Sequence, residues 1–213
     1  MKTRMNLRSQ AGVTLIEATI MLAVAAVLAA AVAPATSRTI DRTRLSRAQT
    51  DALAISTAIH NLLSEHTAFS PFTITGLTGG TTVGMLVGDG DIPEAGTGGS
   101  ASWRDVVNVA ASPAVDFLER HLVRNAPGGT GAYATASAWR GAYLNGPVDP
   151  DPWGNRYAVN VLYLRTLTTN DVIVLSAGPD EAVNTAFTVN GITPGGDDIH
   201  AVVRRDLGKT VPQ

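Results

Sequence analysis

One carboxylate in this 213-residue chain stands where a charge needs a reason. Glu17 lies five residues into the apolar run Val13 to Ala33, within the stretch AGVTLIEATIMLAVAAVLAAAVAP, and nothing nearby in the sequence neutralises it. On insertion scales an acid at the centre of a membrane helix costs about 2.5–3.5 kcal/mol, and less near an interface. Two kinds of chemistry make the position acceptable. In the first, Glu17 is an interfacial residue near a helix N-terminus, favoured by the helix dipole and able to reach the headgroup layer. In the second, the chain is cut between Gly12 and Val13. The cut creates an α-amino group four residues from Glu17, and in an assembled bundle the amine of one chain pairs with the carboxylate of its neighbour.

The other reactive side chains form no constellation. His60, His66, His121 and His200 lack the spacing of a metalloprotease or other metal-ligand motif, and the chain has no nucleophile elbow, P-loop or dinucleotide fingerprint. His60 and His66 read as the solvated side of a helix, and Trp103, Trp139 and Trp153 as core or subunit-contact residues. There is no Cys, which excludes disulfide staples and thiolate metal sites. A net charge of -2 gives no electrostatic case for a nucleic-acid partner. The chain is expected not to be an enzyme but to be a substrate, of a peptidase, and a building block.

The elements that position Glu17 begin with a short basic segment, Met1 to Gly12, carrying Lys2, Arg4 and Arg8. The apolar run that follows would span roughly 30 Å as a helix, the thickness of a hydrocarbon core and longer than an ordinary secretory signal. Ala31-Val32-Ala33 resembles a signal-peptide cleavage site, but Pro34 just after it is expected to block the cut, so the anchor stays. Arg38, Arg42, Arg44 and Arg47 beyond the run balance the leader's cations, and the positive-inside rule assigns no orientation. Between Ala35 and His66 there is neither Gly nor Pro. Ala48, Ala52, Ile55, Ile59 and Leu62 recur at helical spacing, leaving Arg47, Asp51, Ser56 and His60 off the stripe. The pattern predicts one helix from Val13 to His66, roughly 80 Å long and bent near Pro34. Its first half is apolar all round and its second half docks on a sheet; a separate anchor and surface helix is the alternative.

The remainder, Thr67 to Gln213, reads as a head domain. Gly and Pro fall mainly after residue 70, and Thr67 to Gly99 reads as loop with a weak hairpin. A helix is expected within Ser102 to Arg124, with Ser112 as N-cap, Pro113 in the first turn and Val115, Leu118 and Leu122 on one face. Asp151-Pro152-Trp153-Gly154 has the composition of a type I turn. Tyr157 to Leu164, Asp171 to Ser176 and Ile199 to Val203 read as three antiparallel strands, with His200 and Arg204 outward, covered by the amphipathic half of the long helix.

These residues carry a resemblance. Gly12 followed by Val13-Thr14-Leu15-Ile16-Glu17 is similar to the processing site of type IV pilins and type II secretion pseudopilins, with Val13 in place of the usual Phe and Pro34 where that family has a helix-kinking proline. The segments WRGAYL (Trp139 to Leu144), DPWGNRY (Asp151 to Tyr157), LSAGPDE (Leu175 to Glu181) and GGDDI (Gly195 to Ile199) resemble the major pseudopilin in the same order. The region 67–138 does not match and looks like an insertion.

The resemblance implies an α+β, pilin-like fold in which a long N-terminal helix packs on a small antiparallel sheet. It divides the chain into a leader (1–12), a membrane and filament-core helix (13–33), its amphipathic continuation (34–66) and a periplasmic head (67–213), whose C-terminal sheet is 139–213. It implies cleavage after Gly12 by a prepilin peptidase, methylation of Val13, and assembly through Glu17 and Pro34 into a helical homopolymer. The partners implied are the inner-membrane assembly platform, minor pseudopilins and the membrane, for a single-pass inner-membrane protein extracted into a filament. By motif it also implies a calcium ion on Asp180, Asp197 and Asp198. The plain alternative for these acids is turn chemistry in solvent, as for Asp89-Gly90-Asp91. Two rival functions are a minor or adhesive type IV pilin and a membrane-anchored periplasmic binding protein that never polymerises.

Overall fold

The structure is a computed structural model that describes residues 13–65, 73–74, 81–96, 103, 115–129, 139–164, 170–187 and 194–204. The chain forms two compact units, Met1–Thr43 and Arg44–Gln213. A single helix, α1, spans Leu15–Glu65, so the alternative of two separate helices is not what forms. Its only Pro is Pro34, whose side chain lies outside the described residues, and it contains no Gly. In the first unit every described side chain of α1 is exposed. In the second, Ala48, Ala52, Ile55, Ile59 and Leu62 are buried as their spacing predicts. Ser56 departs from expectation. It is buried, and its Oγ donates to the Val202 carbonyl at 2.8 Å, so the hydroxyl is satisfied by a strand rather than by water.

Among the described residues nine short strands follow: β1 (Thr73–Ile74), β2 (Thr81–Thr82), β3 (Met85–Val87), β4 (Glu94–Ala95), β5 (Val115–Phe117), β6 (Ala158–Val159), β7 (Val172–Ser176), β8 (Ala182–Val183) and β9 (Ile199–Arg204). Five of them form one sheet in the order β5-β3-β6-β7-β9, while β1 pairs with β2 and β4 with β8. The α+β class is as expected, but the sheet is mixed rather than antiparallel. Met85 to Val87 runs parallel to Val115 to Phe117, and the other neighbours are antiparallel. The long connection between β3 and β5 makes a parallel crossover sterically available. The hairpin expected within 67–99 is present as β1–β2. Strand β3 was not expected, and it brings the supposed insertion into the common core through Met85, Leu86 and Val87, all fully buried.

The helix expected over Ser102 to Arg124 is cut short. Residues 104–114, including Ser112 and Pro113, lie outside those described. Among the described residues of this span Trp103 and Leu118–Leu122 (α2) are helical, while Val115 to Phe117 enter the sheet. The ladder to β3 wins over the helical spacing. The strand expected over Tyr157 to Leu164 stops after Val159 and becomes a 3-10 turn at Val161–Leu164. Asn160 is the physical cause. Its buried Nδ2 donates to the carbonyls of Asp171 and Phe187, both at 3.1 Å, and its Oδ1 accepts the Ile173 N–H at 2.8 Å. A side-chain amide thus takes over the ladder. All five residues of β7 are buried, so the central sheet is covered on both faces. His200, expected outward, is half-buried opposite Leu175, and burial lowers its pKa. The Arg204 side chain lies outside the described residues.

Candidate functional site

The sequence singles out two places, one in each compact unit. In the first, Val13 and Thr14 precede the helix, and Gly12 lies outside the described residues. Thr14 Oγ1 accepts the Glu17 N–H at 3.3 Å, and the Thr14 carbonyl accepts the Ala18 N–H at 3.0 Å. Thr14 therefore stands at the N-cap and Glu17 at the third helical position, the spacing of a capping box. That signal, Thr-x-x-Glu before an apolar run, is a local one present in the sequence. Around this cap the surface is apolar and open: every residue from 13 to 33 is exposed, Leu15 at 84% and Leu22 at 72%. Exposed apolar area is unfavourable in water by about 25 cal/mol per Å², so the segment demands hydrocarbon or protein around it. Among the described residues α1 is the one helix long and apolar enough to cross a membrane. Glu17 forms no ion pair among the described residues.

In the second unit, Asp180, Asp197 and Asp198 sit on two loops that meet. The turn after β7 places Gly178 (φ 73°) and Glu181 (φ 60°) in the left-handed region, and the Glu181 N–H closes on the Gly178 carbonyl at 3.2 Å. A Cβ on Gly178 would lie 2.4 Å from the Asp197 carbonyl oxygen, so only glycine lets the two loops approach this closely. Between the acids 188–193 lie outside the described residues, and Gly178 and Asp197 are nonetheless in contact. Asp180 Oδ1 accepts the Ala182 N–H at 2.9 Å, and its Oδ2 accepts Asn184 Nδ2 at 3.1 Å. Asp198 Oδ2 accepts the N–H groups of Asn184 and Thr185 at 3.0 and 2.6 Å.

Asp198 Oδ1 is buried with no hydrogen-bond partner among the described residues. Burial, with a smaller contribution from the Asp180 charge, pushes the Asp198 carboxyl up to about 6 despite the Thr185 hydroxyl and the two amide donors. Burial, followed by a hydrogen bond and charge repulsion from Asp180, raises Asp197. The three acids are thus neighbours in tension. They are not a finished chelate: among the described residues no three His, Asp or Glu side chains are arranged to hold a metal ion as they stand. Asn184, which links Asp180 to Asp198, had no distinguishing signal in the sequence. Asp89 and Asp91 are exposed, as turn residues should be.

The expected turn at Asp151 forms, with the Gly154 N–H on the Asp151 carbonyl at 2.9 Å. Asp151 also does what its turn motif does not reveal. Its Oδ1 accepts the N–H groups of Trp153 and Asn155, and its Oδ2 accepts Ser176 Oγ at 2.7 Å, tying the turn to the end of β7. Beside it is a cleft of about 200 Å³ lined by Arg47, Asp51, Ile55, Leu144, Val148 and Tyr157. The Tyr157 hydroxyl donates to Asp51 at 3.4 Å. Burial and the charge of Asp51 raise its pKa, keeping it a neutral donor.

Trp103 is buried edge-on against Phe187, its Nε1 without a hydrogen-bond partner among the described residues, and the half-buried Trp139 donates to the His121 carbonyl at 3.3 Å. His60 is exposed, and His66 lies outside the described residues. Comparison with protein-family models, with curated proteins and with solved structures finds no match to this chain.

Proposed function

We propose that the chain is a structural subunit of a pilus-like filament, of the kind formed by the major pseudopilin of type II secretion. Its action would be mechanical and not catalytic. The observation that carries this reading is Glu17 in the first turn of an exposed apolar helix, with no ion pair among the described residues. In water that surface would aggregate, and in a lone anchor the carboxylate would gain little beyond the cap. In a bundle of copies both are resolved: the apolar faces bury one another, and the amine freed at Val13 neutralises the neighbour's Glu17. Val13 and Thr14 lie outside the helix, which leaves the new amine free to reach sideways. The membrane would hold the subunit before assembly, with the head on the periplasmic side.

The acidic loop enters this reading as a calcium site. A divalent cation would satisfy the orphaned Asp198 Oδ1 and remove the repulsion between Asp180 and Asp197. Calcium takes six to eight oxygens, so backbone carbonyls and water would complete the shell around Asp180, Asp197 and Asp198. Its role would be to order the head, not to perform chemistry.

Two measurements test the filament reading. Intact mass of the native protein should show loss of residues 1–12, with or without an added methyl group. Glu17→Ala should leave membrane insertion unchanged but abolish filaments. Native chains that retain Met1, or normal filaments from Glu17→Ala, would leave a tethered globular protein as the better description.

A further inference from the structure

The region that resembles no pseudopilin is built into the acidic loop. Strand β4, from within 67–138, runs parallel to β8 between Asp180 and Asn184. The Glu94 N–H donates to the Glu181 carbonyl, and the Gly96 N–H to the Val183 carbonyl, both at 2.9 Å. Successive carbonyls of an extended chain point to opposite sides. With those of Glu181 and Val183 claimed by β4, that of Ala182 faces the other way, where it accepts Asn184 Nδ2 at 3.1 Å. The same amide nitrogen donates to Asp180 Oδ2, and the Asn184 N–H donates to Asp198 Oδ2. The rotation of β8 about its axis therefore decides where two of the three acids sit, and β4 fixes that rotation.

Packing tightens the link. A Cβ on Gly96 would lie 2.2 Å from Asn184 Oδ1 and 2.7 Å from the Val183 carbonyl oxygen. On the opposite loop, a Cβ on Gly195 would lie 2.4 Å from the Asn184 backbone. Asn184 is clamped between the two segments, and Glu181 is held in the left-handed region (φ 60°) while its carbonyl is bonded to β4. Backbone held in a sparsely populated region persists only where its surroundings over-determine it. The buried, unpartnered Asp198 Oδ1 points independently to a positive ligand at this place.

We propose that β4 is the positioning element of the cation loop, so that calcium binding at Asp180, Asp197 and Asp198 and the ordering of Glu94 to Gly96 are one coupled event. The inference rests on the calcium reading above. It makes the 67–138 region part of the mechanism by which a cation orders the head, rather than an appendage that tolerates it.

The full chain in detergent micelles tests this with calcium alone as the probe and magnesium as the control. Glu94→Ala removes the carboxylate but keeps the N–H, whereas Glu94→Pro removes both. Losing a ladder donor and orphaning its carbonyl should weaken calcium binding about tenfold in Glu94→Pro, with Glu94→Ala within about threefold of the parent. Gly96→Ala keeps both donors and must displace Asn184, so it too should weaken binding by about threefold or more. In the unmodified chain, which needs no variant to fold, calcium should slow amide exchange at Glu94 and Gly96. A parent that binds calcium while exchange at these amides is unchanged and both Glu94 variants bind alike overturns the coupling alone. A parent that binds no calcium overturns the reading on which the coupling stands.

Discussion

Two buried aspartates in the head show how differently one side chain can be housed. Asp116 and Asp198 are 1% and 7% exposed. Every lone-pair direction of Asp116 is answered. Its Oδ1 accepts the Phe117 N–H and Arg120 Nη1, and its Oδ2 accepts the Gly128 N–H at 2.6 Å and faces His121 Nε2 at 2.9 Å. Burial alone would raise its pKa, but the His121 bond and charge, with the two amides, outweigh it and hold the carboxyl down to about 2. Asp198 has the Thr185 hydroxyl and two amides, both amides on Oδ2, but no hydrogen bond to Oδ1 among the described residues, and burial pushes it up to about 6. A satisfied buried acid explains itself as architecture: Asp116 joins β5, α2 and the Pro127–Gly129 turn. An unsatisfied one has room for a further partner, which on the calcium proposal is the cation. The contrast separates a fully satisfied buried carboxylate from a partly satisfied one without any appeal to residue type.

The largest effect should come from removing the satisfied acid. Asp116→Ala orphans the buried His121 and two amide donors and should destabilise the head by about 4 kcal/mol, the scale of a broken buried pair. For a chain of this size that lowers the melting temperature by about 10 °C, readable by circular dichroism in micelles. A loss below about 1 kcal/mol, the level of an ordinary surface change, would make the Asp116 network incidental. The same group sets an acid limit. Its folded pKa of about 2 lies below the ordinary value of 3.8, so its stabilisation is complete above about pH 4 and is lost as pH falls toward 2. The difference is worth roughly 2 kcal/mol, and Asp116→Ala should abolish that part of the acid transition.

Removing the unsatisfied acid should do less, and in a direction that depends on the cation. With calcium chelated, Asp198→Asn lifts a repulsion from Asp180 and should be neutral or stabilising by about 1 kcal/mol. With calcium added, the parent should melt higher by several degrees and the variant should not move. Equal calcium shifts in both would break the comparison, because Asp198 would then be an unpaired acid with no ligand to seek.

The contrast also marks what the sequence made legible. The alternation over Tyr157 to Leu164 gave a strand only at Ala158–Val159, whereas the helical stripe from Ala48 to Leu62 and the apolar runs of β7 and β9 formed where the sequence placed them. Short or side-chain-governed features did not. A three-residue strand such as Met85–Val87 has too few positions to show a period, and its parallel partner Val115–Phe117 fits a helical spacing equally well. Asn160 ends β6 through bonds to residues 171, 173 and 187, which no local pattern encodes. At the acidic loop the family resemblance of LSAGPDE and GGDDI picked out the three aspartates. It gave no sign of Asn184, β4 or the orphaned oxygen, because each depends on which backbone groups a distant strand has already taken. At the helix start the Thr14–Glu17 cap was readable from spacing alone, since capping is local.

A third acid completes the series and should respond least. Asp51 lies on α1, with its side chain 37% exposed, paired to Arg47 at 3.4 Å and receiving the Tyr157 hydroxyl at 3.4 Å. Water can replace either partner of Asp51, whereas at Asp116 it can replace none. Tyr157→Phe leaves the buried ring in place and removes only a long hydrogen bond to this half-exposed carboxylate. The expected loss is about 0.5 kcal/mol, at the lower edge of a net hydrogen bond. Melting curves of the two chains should therefore nearly coincide, and the cleft beside Leu144 and Val148 should keep its shape. A loss of 2 kcal/mol or more, comparable to a buried unsatisfied donor, would mean that Asp51 is housed like Asp116 and that fractional exposure is the wrong measure for ranking the three.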